Sequence, residues 1–148
     1  MRWNKDSLYI TDDPDAVDVA GVHRLLADTY WARERPRERT EASLAHSLCF
    51  SVKTNHDELA GFARVISDGG CYSIISDVVI DPKFRKRGIG KWLIGVICQH
   101  PQVVGSVIIL WTTDQVEFYK HCGLVHESGI EVMRKPPPWM KSYPGMQT

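Results

Sequence analysis

A chain of 148 residues, 43% apolar and 24% charged, has the size and composition of one globular domain with a single sizeable core. Lys plus Arg and Asp plus Glu number 18 each, so the net charge is zero, which argues against a dedicated nucleic-acid binder. Met1-Arg2-Trp3-Asn4-Lys5 lacks the apolar run of a signal peptide, and no apolar stretch approaches the about 20 residues that span a bilayer, so a cytoplasmic protein with no membrane partner is expected.

Residues 8–11 read as a first strand, and Asp12-Asp13-Pro14-Asp15 as a turn into a helix. Val19, Val22, Leu25, Leu26, Thr29 and Tyr30 make one apolar face of that helix, which should end near Arg33, ahead of Pro36. A second helix is expected over 40–47 with Thr40 as its N-cap. Between the two, residues 31–39 carry a charge run of both signs. That pattern fits a solvated loop, or a substrate-facing lip in which Tyr30 and Trp31 set aromatic faces beside guanidinium groups.

Residues 49–53 and 59–67 look like paired strands joined by Asn55-His56-Asp57-Glu58. Asp68-Gly69-Gly70 turns the chain into a long strand over 71–80, whose Val78-Val79-Ile80 end should be covered on both faces. Ile89, Trp92, Leu93, Val96 and Ile97 share a helical face over 89–100. A buried strand is expected over 103–111, a short helix over 114–122 closed by Gly123, and a last strand around 132–134. Pro136-Pro137-Pro138 cannot continue a sheet interior. This order predicts a mixed sheet flanked by helices. The four cysteines, Cys49, Cys71, Cys98 and Cys122, are dispersed, without a C-x-x-C pair or cysteine–histidine ligand spacing, and are expected as reduced core thiols with no metal.

The junction at 77–93 carries the chemistry. A buried strand ends at Asp81-Pro82, a basic loop follows, and Gly88 and Gly90 open an amphipathic helix. The N–H groups of a first helical turn have no intrahelical partner and lie at the positive end of the helix dipole, so they attract anions. Arg85, Lys86, Arg87 and Lys91 add charge, and the glycines leave room for a pyrophosphate to approach the backbone. A Walker loop would need Lys-Ser/Thr after its second glycine, where Lys91-Trp92 stands; the dinucleotide fingerprint would need a third glycine.

In this setting Arg85-Lys86-Arg87-Gly88-Ile89-Gly90 resembles the R/Q-x-x-G-x-G/A acetyl-CoA motif of the GNAT superfamily of N-acetyltransferases. Phe118-Tyr119-Lys120-His121-Cys122-Gly123-Leu124 is similar to a second segment of that superfamily, F-Y-x-x-x-G-F. The resemblance spans nearly the whole chain and implies one domain over 1–148. Its fold would be α/β, with a central, mostly antiparallel twisted sheet flanked by about four helices. Thr112 departs from the asparagine common seven residues before the tyrosine. Tyr30, Trp31, Arg35, Glu38, the 43–50 stretch and Ser76-Asp77-Val78 look like one GNAT subgroup whose acceptor the resemblance does not fix.

The resemblance further implies acetyl-CoA as acyl donor. Val78, Val79 and Ile80 would hold its pantetheine arm, with an N–H of Val79 or Ile80 polarising the thioester. Arg85, Lys86, Arg87, Gly88, Ile89, Gly90 and Lys91 would hold the pyrophosphate, and Thr112 would contact the arm. Tyr119 would be the general acid and Asp77 the first choice of base, its pKa expected to be raised by burial. Asp114 and Glu38 are weaker choices, and His23, His46, His121 and His126 carry no motif, though His46 would be near enough to reach the expected acceptor cleft. Tyr30, Trp31, Arg35, Glu38 and Arg64 would line the acceptor site. Arginines 33, 35, 37 and 39 favour an anionic acceptor and Glu34, Glu38 and Glu41 a cation, leaving the sign open. A small-molecule amine is the leading acceptor; alternatives are protein lysines or N-termini, or a non-catalytic acyl-CoA sensor. Dimers are common in the superfamily, which leaves a homodimer open.

Overall fold

Two apolar clusters on opposite faces of one sheet organise the computed structural model, which describes residues 1–141. The strands are β1 (Arg2–Lys5), β2 (Leu8–Thr11), β3 (Leu48–Thr54), β4 (Leu59–Ser67), β5 (Tyr72–Ile80) and β6 (Val107–Ile109), lying in sequence order across the sheet. The first five are antiparallel; β6 returns parallel to β5. The helices are α1 (Val19–Ala27), α2 (Arg37–Ala45), α3 (Ile89–Gln99) and α4 (Val116–His121).

On one face, Leu93, Ile94 and Ile97 of α3 bury completely against Ile10, Phe50, Val52, Ala63 and Val65. On the other, Val22, Leu25 and Leu26 of α1 and Leu44 of α2 cover Leu59, Phe62 and Val79. Burial of each large apolar side chain contributes roughly 1.5–3 kcal/mol, so these helix faces fix the layers more firmly than propensity does. The expectation that the end of β5 is covered twice holds, since Val79 joins the α1 side while Val78 and Ile80 pack toward α3.

Several boundaries differ from the sequence reading. β1 was unforeseen; its Trp3 packs on Phe50, ring centroids 6.2 Å apart. α1 stops at Ala27 rather than near Arg33, because the Thr29 hydroxyl and N–H both turn back to the Leu26 carbonyl (2.7 and 3.0 Å). α2 starts at Arg37 behind Pro36, so Thr40 is not its cap but a buried residue inside it. The expected 103–111 strand shrinks to β6, since Val103 and Val104 donate instead to the His100 carbonyl in a turn. Residues 132–134 form no strand and are exposed. Of the cysteines only Cys49 is buried; Cys98 and Cys122 are half-buried and Cys71 is exposed, so the expectation of four core thiols fails.

Two features of β5 position the site. Its pairing with β6 covers only Tyr72↔Val107, Ser73↔Ile108 and Ile74↔Ile109, after which the strands part. Against β4, Phe62 faces Val79 and Arg64 faces Ser76, so three steps on β5 oppose two on β4. This is a β-bulge, and Asp77 within it has φ +54. The extra residue flips the side-chain alternation: Ile75 points into the α3 cluster, whereas Asp77 meets Trp31, Arg35 and Arg64 on the opposite face.

Candidate active site

After β5, the Asp81 carboxylate accepts from Lys83 N–H (2.9 Å) and starts a tight 3-10 turn, Pro82–Phe84. Lys86 (φ +62) and Gly88 (φ +72) then bring the chain to the start of α3. Gly88 is the N-cap and supplies no side-chain acceptor, so the N–H groups of Ile89, Gly90 and Lys91 form an anion-attracting helix start. Arg85, Lys86, Arg87 and Lys91 are all exposed around it. Arg85 Nε donates to the Ile80 carbonyl (3.0 Å), tying this loop to the strand end.

The two glycines of the loop do different jobs. A Cβ on Gly88 would meet nothing within 4 Å, so this position is open to a ligand and its left-handed φ is what favours glycine. A Cβ on Gly90 would stand 3.1 Å from Phe118 Cζ, so the missing side chain here makes room for the α4 ring, while the Gly90 N–H stays among those of the helix start. The sequence reading explains both missing side chains by room for a ligand; at Gly90 that room is taken by Phe118. The two motif segments thus touch through Gly90 and Phe118.

Beyond Ile74 the β6-facing edge of β5 has no strand partner among the described residues, and this groove contains Val78, Val79 and Ile80. Tyr119 of α4 is partly buried against the α3-side cluster and edge-to-face with Phe118 at 5.0 Å. Burial, then the neighbouring Cys122, Tyr30 and Asp114, push its hydroxyl up to about 12, so it stays protonated at neutral pH. The Thr112 hydroxyl accepts from Gln115 N–H (3.0 Å) ahead of α4. Across the groove mouth, Thr113 Oγ1 donates to Tyr30 OH (2.7 Å), and Tyr30 stacks edge-on to Trp31 at 5.1 Å.

On the α1–α2 side Asp77 anchors a buried cluster. Its Oδ1 accepts from Trp31 Nε1 (3.1 Å) and Arg35 Nη2 (2.9 Å); its Oδ2 accepts from Arg35 Nη1 and Arg64 Nε (both 2.7 Å). Arg64 Nη1 also donates to Ser47 Oγ (3.2 Å). Burial alone would raise the Asp77 pKa, but the bonds and charge of Arg35, with those of Arg64, outweigh it and hold the carboxyl below its ordinary value. The expected upward shift is therefore reversed, because sequence could not show that two guanidiniums converge on this carboxylate.

Four of the five expected acceptor residues, Tyr30, Trp31, Arg35 and Arg64, are gathered here; Glu38 is exposed on α2 and outside the cluster. His46, His121 and His126 are exposed, and His23 is half-buried. Ser47 falls within the 43–50 stretch already singled out, without a role of its own; Thr113 went unforeseen, since nothing in the sequence separates it from other loop hydroxyls. His100, buried and 3.0 Å from Asp12 Oδ2, ties α3 to the end of β2, far from the groove in its contacts.

A parallel strand pair bonded over three residues only and a helix start suited to an anion, set in a mixed α/β fold, are features an acyltransferase would use. Residues 19–124 match the Acetyltransferase (GNAT) family, and the chain belongs to that family of acetyltransferases. It is 34% identical over 124 residues to an uncharacterised N-acetyltransferase, ycf52, of Porphyra purpurea, covering 79% of this chain and 71% of that protein. It is 29% identical over 120 residues to a histone acetyltransferase, TAP1, of Glycine max, covering 72% of this chain and 52% of that protein. A crystal structure of a GNAT-family protein from Xanthomonas campestris pv. campestris superposes with a TM-score of 0.84 at 29% identity, covering 95% of this chain and all of the other. Among the described residues no helix is long and apolar enough to cross a membrane.

Proposed function

We propose that this chain, as a single domain, transfers acetyl from acetyl-CoA to a primary amine of a small molecule by direct attack within a ternary complex. The observation that carries this reading is the unpaired half of β5, which runs directly into the helix-start cradle, together with the partly buried, protonated Tyr119 of α4, whose neighbour Phe118 packs on Gly90 of that helix start. Backbone groups of Val78, Val79 and Ile80 would receive the pantetheine arm as an added strand. The N–H of Val79 or Ile80 would stabilise the oxyanion. The Arg85–Lys91 region would bind the pyrophosphate through first-turn N–H groups, aided by the open face of Gly88. Thr112 holds α4 in place and supports the arm from that side.

The amine nitrogen forms the new C–N bond as the C–S bond breaks, and Tyr119 delivers its proton to the departing thiolate. Asp77 is a poor base in this scheme, because four donors already fill both carboxylate oxygens. The proton from the amine leaves through water in the open cleft instead. The test is thiol release from acetyl-CoA across an amine panel: turnover with a subset of amines is expected. Donor binding without release on any amine or peptide would leave only the sensor alternative. Acetylation of lysine peptides is the second reading, favoured by the Glycine max relative, and including such peptides in the panel separates the two.

A further inference from the structure

We propose that the acceptor amine also carries a carboxylate, selected by the surplus positive charge of the Arg35–Asp77–Arg64 cluster. This rests on the acetyl-transfer reading above and names the acceptor class for it. Two guanidiniums share one carboxylate, and among the described residues neither has another acidic side chain within 4.0 Å. The cluster therefore holds one net positive charge in a largely dry place, with side-chain exposures of 12% for Arg35, 10% for Arg64 and 0% for Asp77. A desolvated, uncompensated charge is costly, and a ligand anion relieves the cost.

Geometry adds direction. The Asp77 carboxylate has no exposure, whereas both arginine side chains keep some, so of the charged groups in the cluster only the cations reach solvent. Asp77 immediately precedes Val78, the start of the segment read to hold the pantetheine arm, and Trp31 links the cluster to Tyr30 and so to Thr113. The opposing glutamates do not cancel this. Glu41 pairs with Arg37 at 2.9 Å, both about half-exposed, and Glu34 accepts from the Lys141 N–H. Glu38, Arg33 and Arg39 are exposed, where water and salt screen them. Burial decides the sign that residue counting leaves balanced. A monoanionic carboxylate matches one surplus charge and the planar fork of an arginine, whereas a phosphate dianion overshoots it.

The experiment compares α-amino acids with their own carboxamides, with diamines and with O-phosphoethanolamine, by thiol release at saturating acetyl-CoA. The best amino acid is expected to exceed its carboxamide in kcat/KM by about tenfold or more, the scale of one charge-assisted hydrogen bond. Arg35→Gln leaves one guanidinium to one carboxylate, and should collapse that ratio toward one through the acceptor KM, while Arg35→Lys retains part of it. Thermal stabilisation by acetyl-CoA reports whether each variant is folded. Carboxamides or diamines used as well as amino acids, or O-phosphoethanolamine used better, overturn the proposal while leaving acetyl transfer intact. So does an unchanged ratio in a folded Arg35→Gln protein. Absence of thiol release with every amine overturns the underlying reading as well.

Discussion

Asp77 shows how one residue can look like a catalytic base in sequence and act as an anchor in space. Its carboxylate joins Trp31 and Arg35 of the α1–α2 connection to Arg64 of β4, at the bulge where β5 leaves its neighbour. Asp77→Ala would leave two arginines facing each other without a counter-charge, and breaking such a buried pair costs about 3–5 kcal/mol, measurable by chemical denaturation. The pH dependence follows from the lowered pKa. A carboxyl depressed on folding binds fewer protons than in the unfolded chain. Its stabilisation is present above the ordinary Asp value of about 3.9 and is lost as pH falls through the folded value. Asp77→Asn should remove that acid-side dependence; a stability–pH curve unchanged below neutrality would argue against the cluster. For Tyr119 the sign runs the other way. Raised to about 12, it remains a proton donor through the whole working range, so no alkaline loss of kcat should arise from it near neutral pH. Tyr119→Phe is expected to lower kcat about 100-fold, within the range of general-acid contributions, with donor affinity little changed.

At the scale of elements, the informative unit is β5, its loop, α3 and α4. Gly88 and Gly90 stand two residues apart and predict different outcomes. Gly88→Ala would place a Cβ at φ +72, costing about 1–2 kcal/mol and disturbing the cradle, so acetyl-CoA affinity should fall along with stability. Gly90→Ala would instead press on Phe118, an overpacking cost of about 1–3 kcal/mol, and should shift the neighbouring Tyr119. Its larger effect is expected on kcat, and steady-state kinetics of the two variants would separate these roles. The elements most legible in sequence were those with long apolar periodicity and clear stops, notably β4, β5 and α3. Those misjudged were set by contacts made elsewhere: α1 ends early as the chain turns to carry Trp31 and Arg35 to Asp77, and β6 is short because Val103 and Val104 are drawn into a turn on the His100 carbonyl.

For the molecule as a whole, a ligand bound only by the native state stabilises it by mass action. At 100 times its Kd, acetyl-CoA should add about 2.7 kcal/mol. For a chain of this length that corresponds to a rise in Tm of roughly 5–10 °C, read by thermal unfolding. No shift at saturating donor would count against the cradle.

Sequence by itself determined the layers, the family and the basic, glycine-bearing helix start that is read as the donor cradle. Each of these is written locally: in apolar spacing along one helix or strand, in a proline stop, in two glycines and four basic residues within one loop. Tertiary structure decided the state of Asp77, the separate tasks of Gly88 and Gly90, and the sign of charge beside the groove. Those properties depend on which side chains converge from distant elements and on how dry their meeting place is. A residue count weights a buried arginine and an exposed glutamate alike, whereas the energy of a charge is governed by its solvation.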